Sequence, residues 1–178
     1  INGQSNGTVI IEAGSLAETT GTKSNTINGA SASNLTITNS GTIISASSKA
    51  INFTDVESGS LTNNSGGIIK AKTNTISMLE NTGTTDDITI NNYGTIFATD
   101  DDDAGTNTIK SDDDSSNITI NNFKGGHIYQ TSSAPVIVVG GSTTLTNSGK
   151  IENKDGPGER SISMSGSTGA TLNLKDSG

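Results

Sequence analysis

The chain has 178 residues, of which 29% are hydrophobic and only 3% aromatic, with no Cys and no Trp. This fits one domain, residues 1–178, but is too lean for a core of large side chains, and it excludes disulfides and thiolate metal sites. A net charge of −8 argues against electrostatic attraction to nucleic acid or to an anionic membrane, because either would repel the chain at long range.

In chain order, a Gly repeatedly precedes a short apolar strand. The first is SNGTV at Gly7, which sets Val9 inward and Ile10 outward; EAGSLAETTGTKS then reads as an inserted loop before a second strand at Ile27. NLTITN leads into NSGTI (Gly41), the strand GTIIS, and AINF, with Ile51 eight residues after Ile43. NSGGI (Gly66) is followed by GGIIK and TISM, with Ile76 eight residues after Ile68. DITINN leads to NYGTI (Gly94) and TIFA, and after the loop TDDDDAG comes NTIK. NITINN leads to FKGGHI (Gly126), whose two additional residues predict a bulge, then to HIYQ and PVIVV, where Val136 and Val138 share a face. TTLTN leads to NSGKI (Gly149), the loop KDGPGER and SISM, and NLKD leads to a last Gly178.

The spacings between these Gly are 34, 25, 28, 32, 23 and 29 residues, a drifting period that marks a solenoid with a fixed core and variable loops. Each repeat carries three short strands of alternating apolar and polar residues, hence one buried and one wet face. No repeat can bury that face alone. Stacked at about 4.8 Å, six of them make a column roughly 29 Å tall. The predicted fold is all-β: a right-handed, three-faced parallel β-helix of about six rungs, the hand following from the crossover rule. Asn39, Asn64, Asn92, Asn122, Asn147 and Asp176 fall at one corner, where a sharp turn and an amide ladder are expected.

Reiterated TITNSGTI and TINNYGTI, Thr/Ser/Asn-rich strands, acidic pI and absence of Cys make the whole chain resemble the passenger region of bacterial autotransporters, type V secreted surface proteins. The resemblance implies a passenger that crosses the outer membrane unfolded and stacks coil upon coil outside. Its location is then secreted or bacterial cell surface, and its partner a host cell-surface protein or receptor. With Ile first and no signal peptide or membrane barrel in view, the chain reads as a fragment of a longer passenger. No apolar run is long enough to insert in a membrane.

Residues for chemistry are few. His127, before Ile128, is expected to point outward, and no G-x-S-x-G motif accompanies it. Arg160 is the single Arg, so the carboxylate-plus-base cluster of a polysaccharide lyase or hydrolase on this fold has no cationic partner. No enzymatic activity and no cofactor are expected. Asp55 and Glu57, Asp86 and Asp87, and Asp112, Asp113 and Asp114 fall between the second and third strands of consecutive rungs; they predict an acidic ridge, either solvated or a weak cation site. Asp100 to Asp103 read as a solvated loop, and the five N-x-S/T sequons are what an Asn-, Ser- and Thr-rich chain gives by chance. Ile10, Ile44, Ile69, Phe97 and Tyr129, with Glu152 after them, are predicted to form an outward stripe. Such a stripe either is covered or binds a partner. Adhesin or released effector is the reading that results, with a polysaccharide-active enzyme or a passive spacer as alternatives.

Overall fold

The computed structural model describes residues 6–30, 32–78, 87–99, 105–111, 117–156, 158–164 and 169–175, and among these every regular element is a strand. The first coil holds β1 (Asn6–Ile11), β2 (Leu16–Thr19) and β3 (Ile27–Asn28). The second holds β4 (Asn34–Asn39), β5 (Thr42–Ser45) and β6 (Ile51–Asn52), and the third β7 (Ser58–Asn63), β8 (Ile68–Ala71) and β9 (Ile76–Ser77). β10 (Asp87–Asn92), β11 (Thr95–Ala98) and β12 (Ile109–Lys110) form the fourth, and β13 (Asn117–Asn122), β14 (His127–Gln130) and β15 (Ile137–Val138) the fifth. β16 (Ser142–Asn147), β17 (Lys150–Asn153), β18 (Ile162–Ser163) and a last strand, β19 (Thr171–Leu174), complete the described order.

Each strand pairs in parallel with the strand three elements later. The result is three sheets: a long-strand sheet running β1-β4-β7-β10-β13-β16-β19, a middle sheet of β2, β5, β8, β11, β14 and β17, and a narrow sheet of β3, β6, β9, β12, β15 and β18. This is a three-faced parallel β-helix. Backbone hydrogen bonds run along the axis, so each coil depends on its neighbours and not on itself.

The core explains how so few large side chains suffice. Ile27, Ile51, Ile76, Ile109 and Ile137 lie over one another in the narrow sheet; Ile43, Ile69, Ile96 and Ile128 do so in the middle sheet; Ile37, Leu61, Ile90, Ile120 and Leu145 do so in the long-strand sheet. All are buried. β-branched side chains suit a pleated surface, and each one buried contributes about 1.5–3 kcal/mol, so repetition replaces bulk. One layer departs from the pattern: Gly59 stands in register between Leu35 and Ile88. A Cβ there would meet the Phe53 ring at 3.0 Å and Ile88 at 2.9 Å. Phe53, the one buried aromatic, fills the space that Gly59 leaves.

Three sequence expectations are corrected. The first coil was set one strand too early: Val9 pairs with Ile37 in the long-strand sheet, and Ile10 pairs with Thr38. The middle-sheet strand of that coil is Leu16–Thr19, inside the stretch read as a loop, with Ala17 inward. In the third coil Ile69, not Ile68, aligns with Ile43 and Ile96, because the corner before it holds one residue more than the Gly66 anchor allows for. In the fifth coil Ile137, not Val136, aligns with Ile76 and Ile109.

The same offset moves the Asn ladder. Asn39 donates to Asn63 at 2.8 Å, Asn63 to Asn92 at 2.9 Å, Asn92 to Asn122 at 2.8 Å, and Asn122 to Asn147 at 2.7 Å. Asn63 replaces the predicted Asn64, whose amide instead donates to Ser40 Oγ on the outer side of the corner. Ile11 and Leu174 hold the ladder register at its two ends. Asp176 lies outside the described residues. Corners alternate in length: Gly67 and Gly126 follow a turn closed by a bond to Asn64 and Phe123 carbonyls, with Gly66 and Gly125 at φ +82° and +89°. That positive φ is the third place of a type II turn, where Gly is needed. The two additional residues of FKGGHI lengthen the corner turn between β13 and β14 and do not bulge a strand, and NNSGGI contains the same turn.

Candidate ligand-binding face

Two outward columns of side chains run along the middle sheet. One is Leu16, Thr42, Ile68, Thr95, His127 and Lys150; the other is Glu18, Ile44, Lys70, Phe97, Tyr129 and Glu152. The in-register stacking of coils, not local sequence, makes these residues neighbours. Phe97 and Tyr129 stack at 4.7 Å with planes 9° apart. Lys70 Nζ lies 5.6 Å from the Phe97 centroid and Lys154 Nζ 3.6 Å from that of Tyr129. The rings are therefore sandwiched between two ammonium groups, an arrangement favoured by the negative ring faces. At the neighbouring corner Tyr93 and Phe123 stack at 4.3 Å. Their backbones bond along the axis to Asn63 and Asn92 carbonyls, which fixes the ring spacing.

At the far end of the column, Glu152 accepts from Lys150 at 2.8 Å, meets His127 Nε2 at 3.2 Å and lies 4.0 Å from Lys154. The Lys150 hydrogen bond, with the other cations, holds the Glu152 carboxyl below its ordinary range. Burial lowers the His127 imidazole below its usual value, opposed by the bond to Glu152. Burial raises the Tyr129 phenol, and Glu152 adds to that. The cations around Glu152 thus favour its charged form.

A shallow groove flanks the sheet at each corner. One, of about 450 Å³, is lined by Ile44, Ser45, Lys70, Lys72 and Thr99 among others. The other, of about 520 Å³, is lined by Lys124, Gly125, His127, Ser148 and Lys150. The outer face of the long-strand sheet is different in kind: a column of Thr8, Thr36, Ser60, Thr89, Thr119 and Thr144 runs up it without a Lys.

The predicted stripe is thus only partly assembled. Ile44, Phe97 and Tyr129 share one outward column. Ile10 is 60% exposed but belongs to another sheet, and Ile69 is buried in the core. Lys70 takes the place assigned to Ile69, and it, Lys72, Lys150 and Lys154 were missed; aligning coils on Asn63 instead of Asn64 would have placed Lys70 beside Phe97. Of the acidic ridge, Asp87 opens β10 and accepts from Asn117 at 3.1 Å, and Asp55 occupies a turn at φ 55°. Asp86, Asp112, Asp113 and Asp114 lie outside the described residues, as do Asp100 to Asp103. Among the described residues no group of three His, Asp or Glu is placed to hold a metal ion, and no helix is long and apolar enough to cross a membrane. Comparison with family models, curated proteins and solved structures gives no match for this chain.

Proposed function

We propose that this chain is a non-catalytic piece of a bacterial autotransporter passenger, displayed on or released from the cell surface, that binds host cells through the outer face of its middle sheet. The observation that carries this reading is the concentration, on that one face, of stacked Phe97 and Tyr129 braced by Lys70 and Lys154. A passive spacer has no use for it, since coil stacking is secured by the core and the ladder. The sequence pattern TITNSGTI and TINNYGTI supports the export route, and the repeat architecture suits folding that propagates as a chain emerges. A polysaccharide-cleaving reading is less well supported, because the small groove that Arg160 lines with Ser133, Ala134 and Pro135 holds one carboxylate, Glu159, and not a pair.

The test is saturable binding of the labelled chain to cultured host cells, comparing wild type with Phe97→Ser/Tyr129→Ser. Loss of the stacked pair on which Lys70 and Lys154 rest is expected to weaken binding roughly tenfold or more. If the double variant keeps its β circular dichroism and binds as well as wild type, the proposal is wrong.

A further inference from the structure

We infer that the ligand of this face is an acidic polysaccharide, a chain of sulfated or uronic sugars laid along the coil axis between the two lysine-bearing grooves. The inference rests on the reading that the middle sheet is the binding face, and it names the ligand's chemistry.

Charge is the first argument. The chain as a whole carries −8, yet Lys70, Lys72, Lys124, Lys150 and Lys154, five of its ten cationic residues, lie in or beside β8, β14 and β17. Two carboxylates stand on the outward columns of this sheet: Glu18, which lines the first groove, and Glu152, which is already engaged by Lys150 and His127. The local surplus is positive. Because the remainder of the chain repels a polyanion, such a ligand is steered to this face and to no other.

Shape is the second. The ring faces of Phe97 and Tyr129 are covered by each other and by Lys70 and Lys154, so only ring edges meet solvent. A nucleic acid strand would need open ring faces for its bases to stack on. A protein partner would need an apolar anchor pocket. On this sheet the exposed large apolar residues are Leu16 and Ile68, two coils apart and isolated. What remains is ammonium groups beside hydroxyls: Lys70, Lys72 and Thr99, with Glu18, in one groove, and Lys124, Lys150 and Ser148 in the other. From the third coil to the sixth, Lys70 and Lys150 are separated along the axis by roughly 14 Å, three strand spacings. The aromatic stack between them is a stiff spacer. A hydrated, regularly charged sugar chain matches this face better than an apolar surface does.

The experiment measures retention of the 178-residue chain on immobilised dextran sulfate, polygalacturonate, poly-glutamate and uncharged dextran at near-physiological salt. Wild type is expected to bind one or both acidic polysaccharides and to pass through dextran and poly-glutamate. Lys70→Glu/Lys72→Glu/Lys150→Glu is expected to lose at least about tenfold in affinity, as short-range charge contacts are reversed. The control Lys110→Glu/Lys175→Glu changes charge elsewhere and is expected to bind nearly as wild type does. If the triple variant misfolds, Lys72→Gln/Lys150→Gln supplies the same comparison. Equal binding to poly-glutamate, equal loss in the control, or no binding to either polysaccharide overturns the inference. Cell binding that depends on Phe97 and Tyr129 but persists without polysaccharide binding would leave the proposed function standing and sink only this ligand.

Discussion

Asn63 and Asn64 are adjacent and chemically identical, and the fold gives them opposite roles. Asn63 is fully buried; its Oδ1 accepts from Asn39, and its Nδ2 donates to Asn92 Oδ1, with longer contacts to the Gly67 and Thr95 carbonyls at 3.2 and 3.3 Å. Truncation to Ala removes two amide–amide bonds and leaves the Asn39 amide and the Asn92 carbonyl oxygen with only their weaker contacts, at 3.3 Å each. Two net hydrogen bonds at about 1 kcal/mol each, plus about 1–3 kcal/mol for a buried group left short of a partner, give a loss of about 3–5 kcal/mol. Asn64→Ala forfeits one bond to Ser40 on the outer side of the corner, about 1 kcal/mol or less. For a chain of this length about 1 kcal/mol corresponds to roughly 2–4 °C in melting temperature. Asn63→Ala is therefore expected to melt roughly 6 °C or more below wild type, and Asn64→Ala within roughly 4 °C of it. Thermal unfolding followed by far-UV circular dichroism measures both. Equal shifts, or a larger shift for Asn64→Ala, would refute the ladder register.

Further outcomes follow from the same geometry. Ile69→Ala is expected to cost about 2–5 kcal/mol and Ile68→Ala well under half of that, since Ile69 is buried and Ile68 is 38% exposed; denaturant midpoints separate them. Gly94→Ala is expected to destabilise far more than Gly125→Ala, because a Cβ at Gly94 would strike the backbone carbonyls of Gly67 and Asn64, whereas at Gly125 it meets open space. Only the positive φ there, about 1–2 kcal/mol for an L residue, stands against it. For pH, both the Glu152 carboxyl and the His127 imidazole titrate lower in the folded chain than in the unfolded one. Their stabilising contribution is present above the unfolded values and is lost as pH falls, first through the imidazole range and then through the carboxylate range. The melting temperature of wild type should exceed that of Glu152→Gln by a small margin at neutral pH, and the gap should close on acidification. A gap that stays constant with pH would refute the pairing of Glu152 with Lys150 and His127.

The repeat, the three-strand plan of a coil and most core residues were legible in the sequence, because a two-residue alternation of Ile with Thr has one way to hide its apolar side and an unpaired coil has none. Ile43, Ile96 and Ile109 could be placed from spacing alone. Corner length was not legible. A four-residue corner and a two-residue corner both read as Asn, then Gly, then an apolar residue, and only stacking against the coil below decides which Asn enters the ladder and which Ile turns inward. Because side chains alternate faces, that single-residue choice at Gly66 and Gly67 carried Ile69 into the core and brought Lys70 out beside Phe97. The binding face is a product of register between coils, and register is a tertiary property.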